Sequence, residues 1–496
     1  MKRLEAAQRG LTARIPRLIL CFCVLQPLLD ILAFWKDALG IPALVLTILR
    51  FLTFAGLTGM GFLVSRRKRR YIYLAVFALL YLAGHSLAAS RMGYLAPFED
   101  LTDQLRVLML FFTTAAMMSF LDRSERAFWV MESGLMLALG IMAAAVGLSI
   151  LTGTDPHTYL GKQTGVLGWF LWPNSQSAIL SMLTPLSIAW CLKRFRGRVL
   201  PVAVVASGCF CLLFLLGTRL AFVCIPVLGG GMAVCIWLAD RKAKGCALAV
   251  LLAAALFTAL YPVSPMREAL RKSAENSVVL QQRIDDAAQA QGAAPGAERT
   301  ENLDALAAAY RYNLQGIVDR FGLERTARVY DFTLKRSEIF DDRRKKRVFN
   351  ELLMEDAGAL SRWFGLEVSR MSQQTELYDF YADEWEPGVE YFAAENDLHG
   401  VFYSGGWVLL AGTLSWMLWY GVRALLALIR RGKEVFNVFF AAHCGAYCVF
   451  FVFAYATNSV LRQTRNIFCV SAVLAGLWYL SRRGEEKPGP GEEDSV

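Results

Sequence analysis

The residues able to do chemistry in this sequence stand at the edges of long apolar runs. Gly217-Thr-Arg219-Leu-Ala221 is a very tight turn between two such runs and holds Arg219 close to both. Lys162 opens the stretch Lys162-Gln-Thr-Gly-Val-Leu-Gly-Trp-Phe-Leu-Trp-Pro-Asn174-Ser175, in which Pro173 and Asn174 form a helix start. Glu395-Asn-Asp397-Leu-His399-Gly precedes another run, with Gly405-Gly406 just inside it. Arg50, Arg91, Arg106, Arg462, Arg465 and His85 flank further runs. Charged groups in or against a membrane segment are costly and tend to be functional. A ring of guanidinium and ammonium groups suits a phosphorylated ligand, because guanidinium binds phosphate through two parallel hydrogen bonds. An imidazole with a pKa near 6.5 suits proton removal near neutrality.

These residues are positioned by membrane-spanning elements. Of the 496 residues, 56% are hydrophobic and the mean hydropathy is +0.39. The apolar residues form runs long enough to cross a hydrocarbon core of ~30 Å as helix. Unbroken runs exclude a barrel, whose strands alternate. Spans are expected near 16–35, 41–64, 71–89, 105–121, 128–151, 174–192, 199–216, 220–239, 246–262, 401–422, 435–456 and 466–480. The fold class is thus all-α integral membrane, with about twelve spans and a helical cap outside the membrane. The division is an N-terminal segment 1–15, spans 16–262, a large loop 263–400, spans 401–480 and a Gly/Pro/Glu-rich tail 481–496 that reads as disordered.

A net charge of +10 raises the question of nucleic acid, and its distribution answers it. Residues 263–400 hold 18 Lys/Arg against 25 Asp/Glu, so the excess lies elsewhere, in short loops between runs. Arg66 to Arg70, Lys193 to Arg198, Arg241 to Lys244, Arg430 to Lys433 and Arg482-Arg483 all fall on one side if there are twelve spans. By the positive-inside rule both termini are cytoplasmic and the large loop is extracytoplasmic. The eleven cysteines lie in or beside apolar runs, with no C-x-x-C pattern, and read as buried thiols. No metal site and no cofactor are expected.

Several residues also have plainer roles open to them. Asp30 and Arg50 lie in neighbouring helices and can simply pair. Arg91 and Arg106 can snorkel, His85 can be a packed polar residue, and His443 reads as structural. The run Arg343-Arg-Lys-Lys-Arg347 reads mainly as a solvated helix face. Within the loop, helices are expected over Arg267–Ala290, Glu301–Phe321, 324–339, 343–360 and 373–382.

The order and sidedness of these segments resemble the O-antigen ligase and O-antigen polymerase superfamily. Pro173-Asn174 resembles that family's Pro-Asn element at a helix start. Gly217-Thr-Arg219-Leu-Ala221 resembles its Thr-x-Ser-Arg-x-Ala turn with the serine missing. His399 followed by Gly405-Gly406 resembles its His-then-Gly element, with Leu398 beside the histidine where an Asn is usual. The basic run 343–347 with Trp363-Phe-Gly365 is loosely similar to a further stretch of the loop. The resemblance implies a bacterial inner-membrane glycosyltransferase needing neither metal nor nucleotide. Its donor would be a polyprenyl diphosphate-linked oligosaccharide and its acceptor a glycan or glycolipid hydroxyl, in a ligase or a polymerase reaction. It places Arg219 at the leaving diphosphate, with Lys162 and Arg465 in support. Asn174, Arg50, Arg462 and Arg347 would be further substrate contacts. His399 would be the general base or would orient the acceptor, and Glu395 or Asp397 would orient His399 or take the base role itself. The alternatives are a transporter or flippase for the same lipid-linked glycan, expected to show inverted repeats and broken helices, and a non-catalytic membrane scaffold.

Overall fold

The computed structural model describes residues 2–290, 316–330, 342–379, 384–392, 394–457 and 460–482. Its helices follow the apolar runs. They are α1 (Lys2–Phe34), α2 (Ala43–Val64), α3 (Arg69–Arg91), α4 (Pro97–Leu121), α5 (Glu125–Leu151), α6 (Pro173–Arg194), α7 (Val199–Leu216), α8 (Arg219–Ala239) and α9 (Lys244–Ala259). The loop region adds α10 (Pro265–Ala290), α11 (Leu323–Tyr330), α12 (Asp342–Phe364) and a hairpin of β1 (Ser372–Asp379) and β2 (Glu384–Tyr391). The chain closes with α13 (Asp397–Val435), α14 (Val438–Ala456) and α15 (Ile467–Arg482).

Among the described residues, ten helices are long and apolar enough to cross a membrane, and the chain is an all-α integral membrane protein. The ninth and twelfth expected spans are shorter: α9 and α15 have 16 residues each. At ~1.5 Å per residue each is about 24 Å long, less than the ~30 Å of a hydrocarbon core.

Burial patterns explain the arrangement. In α2 the buried residues are Leu46, Arg50, Phe54, Leu57, Gly61 and Val64, one stripe at helical spacing, while the rest of the surface is apolar and exposed. In α6 nearly every residue is buried, including Ser175, Ser177, Ser181, Thr184 and Ser187, and α15 is buried all round. These two helices form the centre, and α2, α3, α7 and α9 line the periphery. Small residues set the closest approaches. A Cβ on Gly61 would stand 2.6 Å from the backbone of Ala116.

The segment before α13 has its own small apolar core, in which Phe349 and Phe392 stack at 3.9 Å with Leu352, Leu353 and Leu366 around them. Tyr403 of α13 joins this core, so the cap and the helix bundle share a wall. The cap is locked down by a wedge, Trp363-Phe364-Gly365. Gly365 (φ +90°) lies against the Ser404 carbonyl and the Gly405 amide, and Gly406 (φ +66°) against the Trp363 carbonyl. Gly84 of α3 receives the Phe364 ring, and none of these three positions has room for a Cβ.

Polar contacts complete the joint. Glu367 is fully buried and accepts from the Leu95 and Ala96 amides at 2.9 and 2.5 Å. Asp100 accepts from the Val368 amide at 3.0 Å and the Tyr94 hydroxyl at 2.6 Å. His85 lies between the Asp100 carboxylate (Nε2, 2.7 Å) and the Phe364 carbonyl (Nδ1, 2.6 Å). The two ring nitrogens of His85 tie α3 to both the cap and α4. His85 is thus a packed polar residue of the cap joint.

Of the helix expected over 373–382, residues 373–379 are instead in β1, and 380–382 lie outside the described residues. Ser372 pairs with Tyr391 and Tyr378 with Trp385 in an antiparallel ladder. The stretch Gln-Gln-Thr-Glu-Leu-Tyr has no apolar stripe at helical spacing, and Thr, Tyr, Val and Trp favour a pleated surface. The expected helix over 324–339 is described only as α11, ending at Tyr330. The rest of it, residues 301–315 and the tail from 483 lie outside the described residues.

Candidate functional site

All the loops that face the cap come from one end of the bundle, and two polar cavities open there. The first, about 680 Å³, is lined by Lys36, Arg50, Arg106, Lys346, Arg462 and Arg465, with Asp103 as its one carboxylate among the described lining residues. Arg50 is buried and paired with Asp30, and its other nitrogen donates to the Thr464 hydroxyl at 3.3 Å. Arg462 donates to Asp103 at 2.6 Å, and Arg106 reaches the other oxygen of Asp103 at 3.3 Å. Arg106 therefore lines a cavity and does not merely snorkel.

Arg465 has no such partner among the described residues. It is 9% exposed, its Nε has no hydrogen-bond partner, and its guanidinium lies 6.0 Å from the Trp172 ring centroid. Burial lowers its pKa, nearby Arg50 adds to the effect, and Asp30 opposes it. Arg462 goes the other way, because Asp103 outweighs the cost of its burial. A buried guanidinium with no carboxylate within pairing distance is an unfavourable arrangement that an anionic ligand would relieve.

The second cavity, about 590 Å³, is lined by Arg343, Arg344, Arg347, Glu351, Glu395 and His399 among others. Asn396 caps α13 by accepting from the Leu398 and His399 amides at 2.9 and 3.1 Å, and this fixes where the exposed His399 leaves the helix. Arg347 donates to Glu351 at 2.7 Å.

The two cavities share a wall. Ala394 lines both. Lys346 from the first and Glu395 from the second pair across it at 2.8 Å, and Arg343 joins Glu395 at 3.2 Å. Burial pushes the Glu395 carboxyl up, but Lys346 and Arg343 together outweigh it and hold it below the ordinary carboxylate value. Glu395 is a bridging anion here, poorly suited to taking a proton.

Asp397 is not in either cavity. It is fully buried, its Oδ2 accepts from the Val460 and Leu461 amides at 2.5 and 3.0 Å, and its own amide donates to the Thr457 carbonyl at 2.7 Å. It anchors the α14–α15 loop that carries Arg462 and Arg465, which is a positioning role, while its other oxygen, Oδ1, is buried with no hydrogen-bond partner among the described residues.

Arg219, Lys162 and Asn174 form a third group. Lys162 donates to the Ser273 hydroxyl on α10, and its ammonium lies 5.4 Å from the Tyr159 ring centroid. Burial lowers its pKa, and Arg219 lowers it further. Arg219 is exposed, and among the described residues no carboxylate pairs with it. Neither cation lines the two cavities. The link is α6: Ser177 and Thr218 share a hydrogen bond of 2.7 Å, so the Arg219 turn sits against the first turn of α6. Trp172 caps that turn and lines the first cavity, and Asn174 lies exposed beside it.

Sequence reasoning passed over Lys36, Asp103, Trp172 and Tyr391 and read Lys346 as part of a mainly solvated helix face; all five line the first cavity. Asp103 had a signal, its i,i+3 spacing from Arg106 on one helix. Among the described residues no group of three or more His, Cys, Asp or Glu could hold a metal ion.

A search of the curated proteins finds no match. The family model described as O-antigen ligase like membrane protein matches residues 13–477, which takes in both cavities, the third cationic group and the whole cap. On that match, the chain belongs to the family of O-antigen ligase-like membrane proteins.

Proposed function

We propose that this protein transfers glycan from a polyprenyl diphosphate-linked donor to a hydroxyl acceptor at the cap face, without a metal ion. The cap face is oriented away from the cytoplasm by the basic loops at the opposite helix ends. The observation that carries the reading is the first cavity, where six cations meet one carboxylate among the described lining residues and Arg465 is buried with no carboxylate within pairing distance.

In this reading the donor diphosphate lies in the first cavity against Arg50, Arg462 and Arg465. As the bond between the anomeric carbon and the phosphate oxygen breaks, the electron pair leaves with the polyprenyl diphosphate, and these fixed cations stabilise it in a water-poor site. Arg219 and Lys162, across the first turn of α6, meet the donor from the other side, with Asn174 between. Trp172 and Tyr391, 51% and 69% exposed at the same cavity, offer flat faces for the donor sugar. The acceptor occupies the second cavity with Arg347 and reaches the donor over the Ala394 rim. Its hydroxyl proton passes to His399 as the oxygen bonds to the anomeric carbon. Attack opposite the departing diphosphate inverts that centre.

The test is transfer by the purified protein in lipid, given a polyprenyl diphosphate oligosaccharide and EDTA but no nucleotide. Release of polyprenyl diphosphate with a lengthened glycan identifies a polymerase. Transfer only to an added glycan or glycolipid identifies a ligase. Folded protein that releases nothing across a panel of donors and acceptors would overturn the reading in favour of a lipid-linked glycan transporter.

A further inference from the structure

We infer that the cleft between α8 and α9 is a binding site for an anionic phospholipid, with an acyl chain in the cleft and the headgroup at Lys244. The cleft measures about 390 Å³, and its walls, among them Gly230, Val234, Trp237, Leu248 and Leu251, are wholly apolar side chains and glycine. The helices touch at Gly229, where a Cβ would collide with Ala254. From there the cleft runs towards the 240–243 loop. A Cβ on Gly230 or Gly231 would meet nothing within 4 Å.

Charge identifies the occupant. The Lys244 ammonium stands 4.8 Å from the centroid of Trp237, a cleft residue, and so marks the cleft's end. Lys242 is exposed on the same loop. The Cys246 thiol meets the Gly197 carbonyl at 3.1 Å, which brings the Arg196-Gly197-Arg198 loop alongside. An anionic headgroup complements this cluster. A second copy of the chain paired about a two-fold axis here would bring the two basic loops together. The short α9 reinforces the choice: a helix of 16 residues holds Lys244 within reach of the headgroup layer. The cleft occupies the half of α8 remote from Arg219, so its lipid is distinct from the donor and lies in the opposite leaflet.

The experiment is lipid exchange on the purified full chain, with phosphatidylglycerol or phosphatidylcholine nanodiscs and bound lipid counted by native mass spectrometry. Wild-type protein should retain phosphatidylglycerol preferentially, by about fivefold in affinity for each lysine engaged. Lys242→Glu with Lys244→Glu should abolish the preference. Val234→Trp, which fills the cleft, should lower retention of both lipids while polyprenyl diphosphate release continues. Equal retention of the two lipids by wild type, or unchanged retention in both variants, would overturn the proposal. So would a dimer that Val234→Trp dissociates, which would make the cleft a protein interface.

Discussion

Gly400 leaves open the space that Arg462 crosses: a Cβ at Gly400 would lie 3.1 Å from Nη1 of Arg462 and 3.5 Å from its Cδ. The first turn of α13 thus shows His399 to one cavity and the neighbouring Gly400 to a cation of the other. Gly400→Val should push Arg462 off Asp103. The expected result is about a hundredfold lower turnover from misplacement of the guanidinium, with a stability loss of about 1–3 kcal/mol from overpacking. Turnover and thermal unfolding of the purified variant test both.

Arg465→Ala should separate activity from stability. Arg465 lies beside the Asp30–Arg50 pair and has no carboxylate within pairing distance among the described residues; Asp30 keeps Arg50, so removing Arg465 orphans no buried anion. The melting temperature should hold or rise while turnover falls by about 10²–10³. Arg219→Ala should also cut turnover, and an unchanged rate there would confine the leaving group to the first cavity. A fall in melting temperature for Arg465→Ala with normal turnover would assign Arg465 to the fold alone.

The Glu395 bridge makes a statement about pH. Its folded pKa lies below the ordinary carboxylate value, so the bridge adds stability above the unfolded pKa of about 4.3 and loses it as pH falls through the lower folded value. The wall should stay intact from pH 5 to 8. Any acid limb of the pH–rate profile in that window should then persist in Glu395→Gln and vanish with His399. A limb that moves with Glu395→Gln would contradict this.

Asp397→Asn should retain much of the activity, because an amide oxygen can still accept from the Val460 and Leu461 amides. Asp397→Ala orphans both donors and should cost about 1–3 kcal/mol each in stability. Loss of turnover in a fully stable Asp397→Asn would restore a chemical role to this carboxylate.

Asp100→Ala tests the cap joint. It leaves His85, Tyr94 and the Val368 amide without their shared acceptor and should destabilise the cap by about 3 kcal/mol. The readout is limited proteolysis within 263–400, with the bundle still protected. Cleavage at the wild-type rate would show that the glycine wedge alone holds the cap.

The bundle was legible because apolar runs of membrane length admit one backbone solution, and the Asp30–Arg50 pair was legible because both groups face inward from adjacent helices. Asp397 could have been separated from His399 by the same logic. Residues two apart on a helix point about 200° apart, so they cannot both serve one cavity. The hairpin at 372–391 was missed because a strand pair depends on a partner whose register no local pattern displays. The grouping of Lys346 with Arg50 and Arg465 was out of reach for a similar reason. It depends on how the cap docks, and that rests on contacts between residues hundreds of positions apart.

The glycine wedge also constrains the order of biogenesis. The cap precedes α13 in the chain, yet Gly365 beds on Ser404 and Gly405, and Gly406 beds on Trp363. While the ribosome is still adding the cap, the α13 side of its socket has not been made, and only α3, the α3–α4 loop and the start of α4 are present to receive Phe364, Glu367 and Val368. Final seating must therefore wait until α13 has entered the bilayer. A chain arrested before residue 404 would display a cap with only the α3–α4 side of its seat.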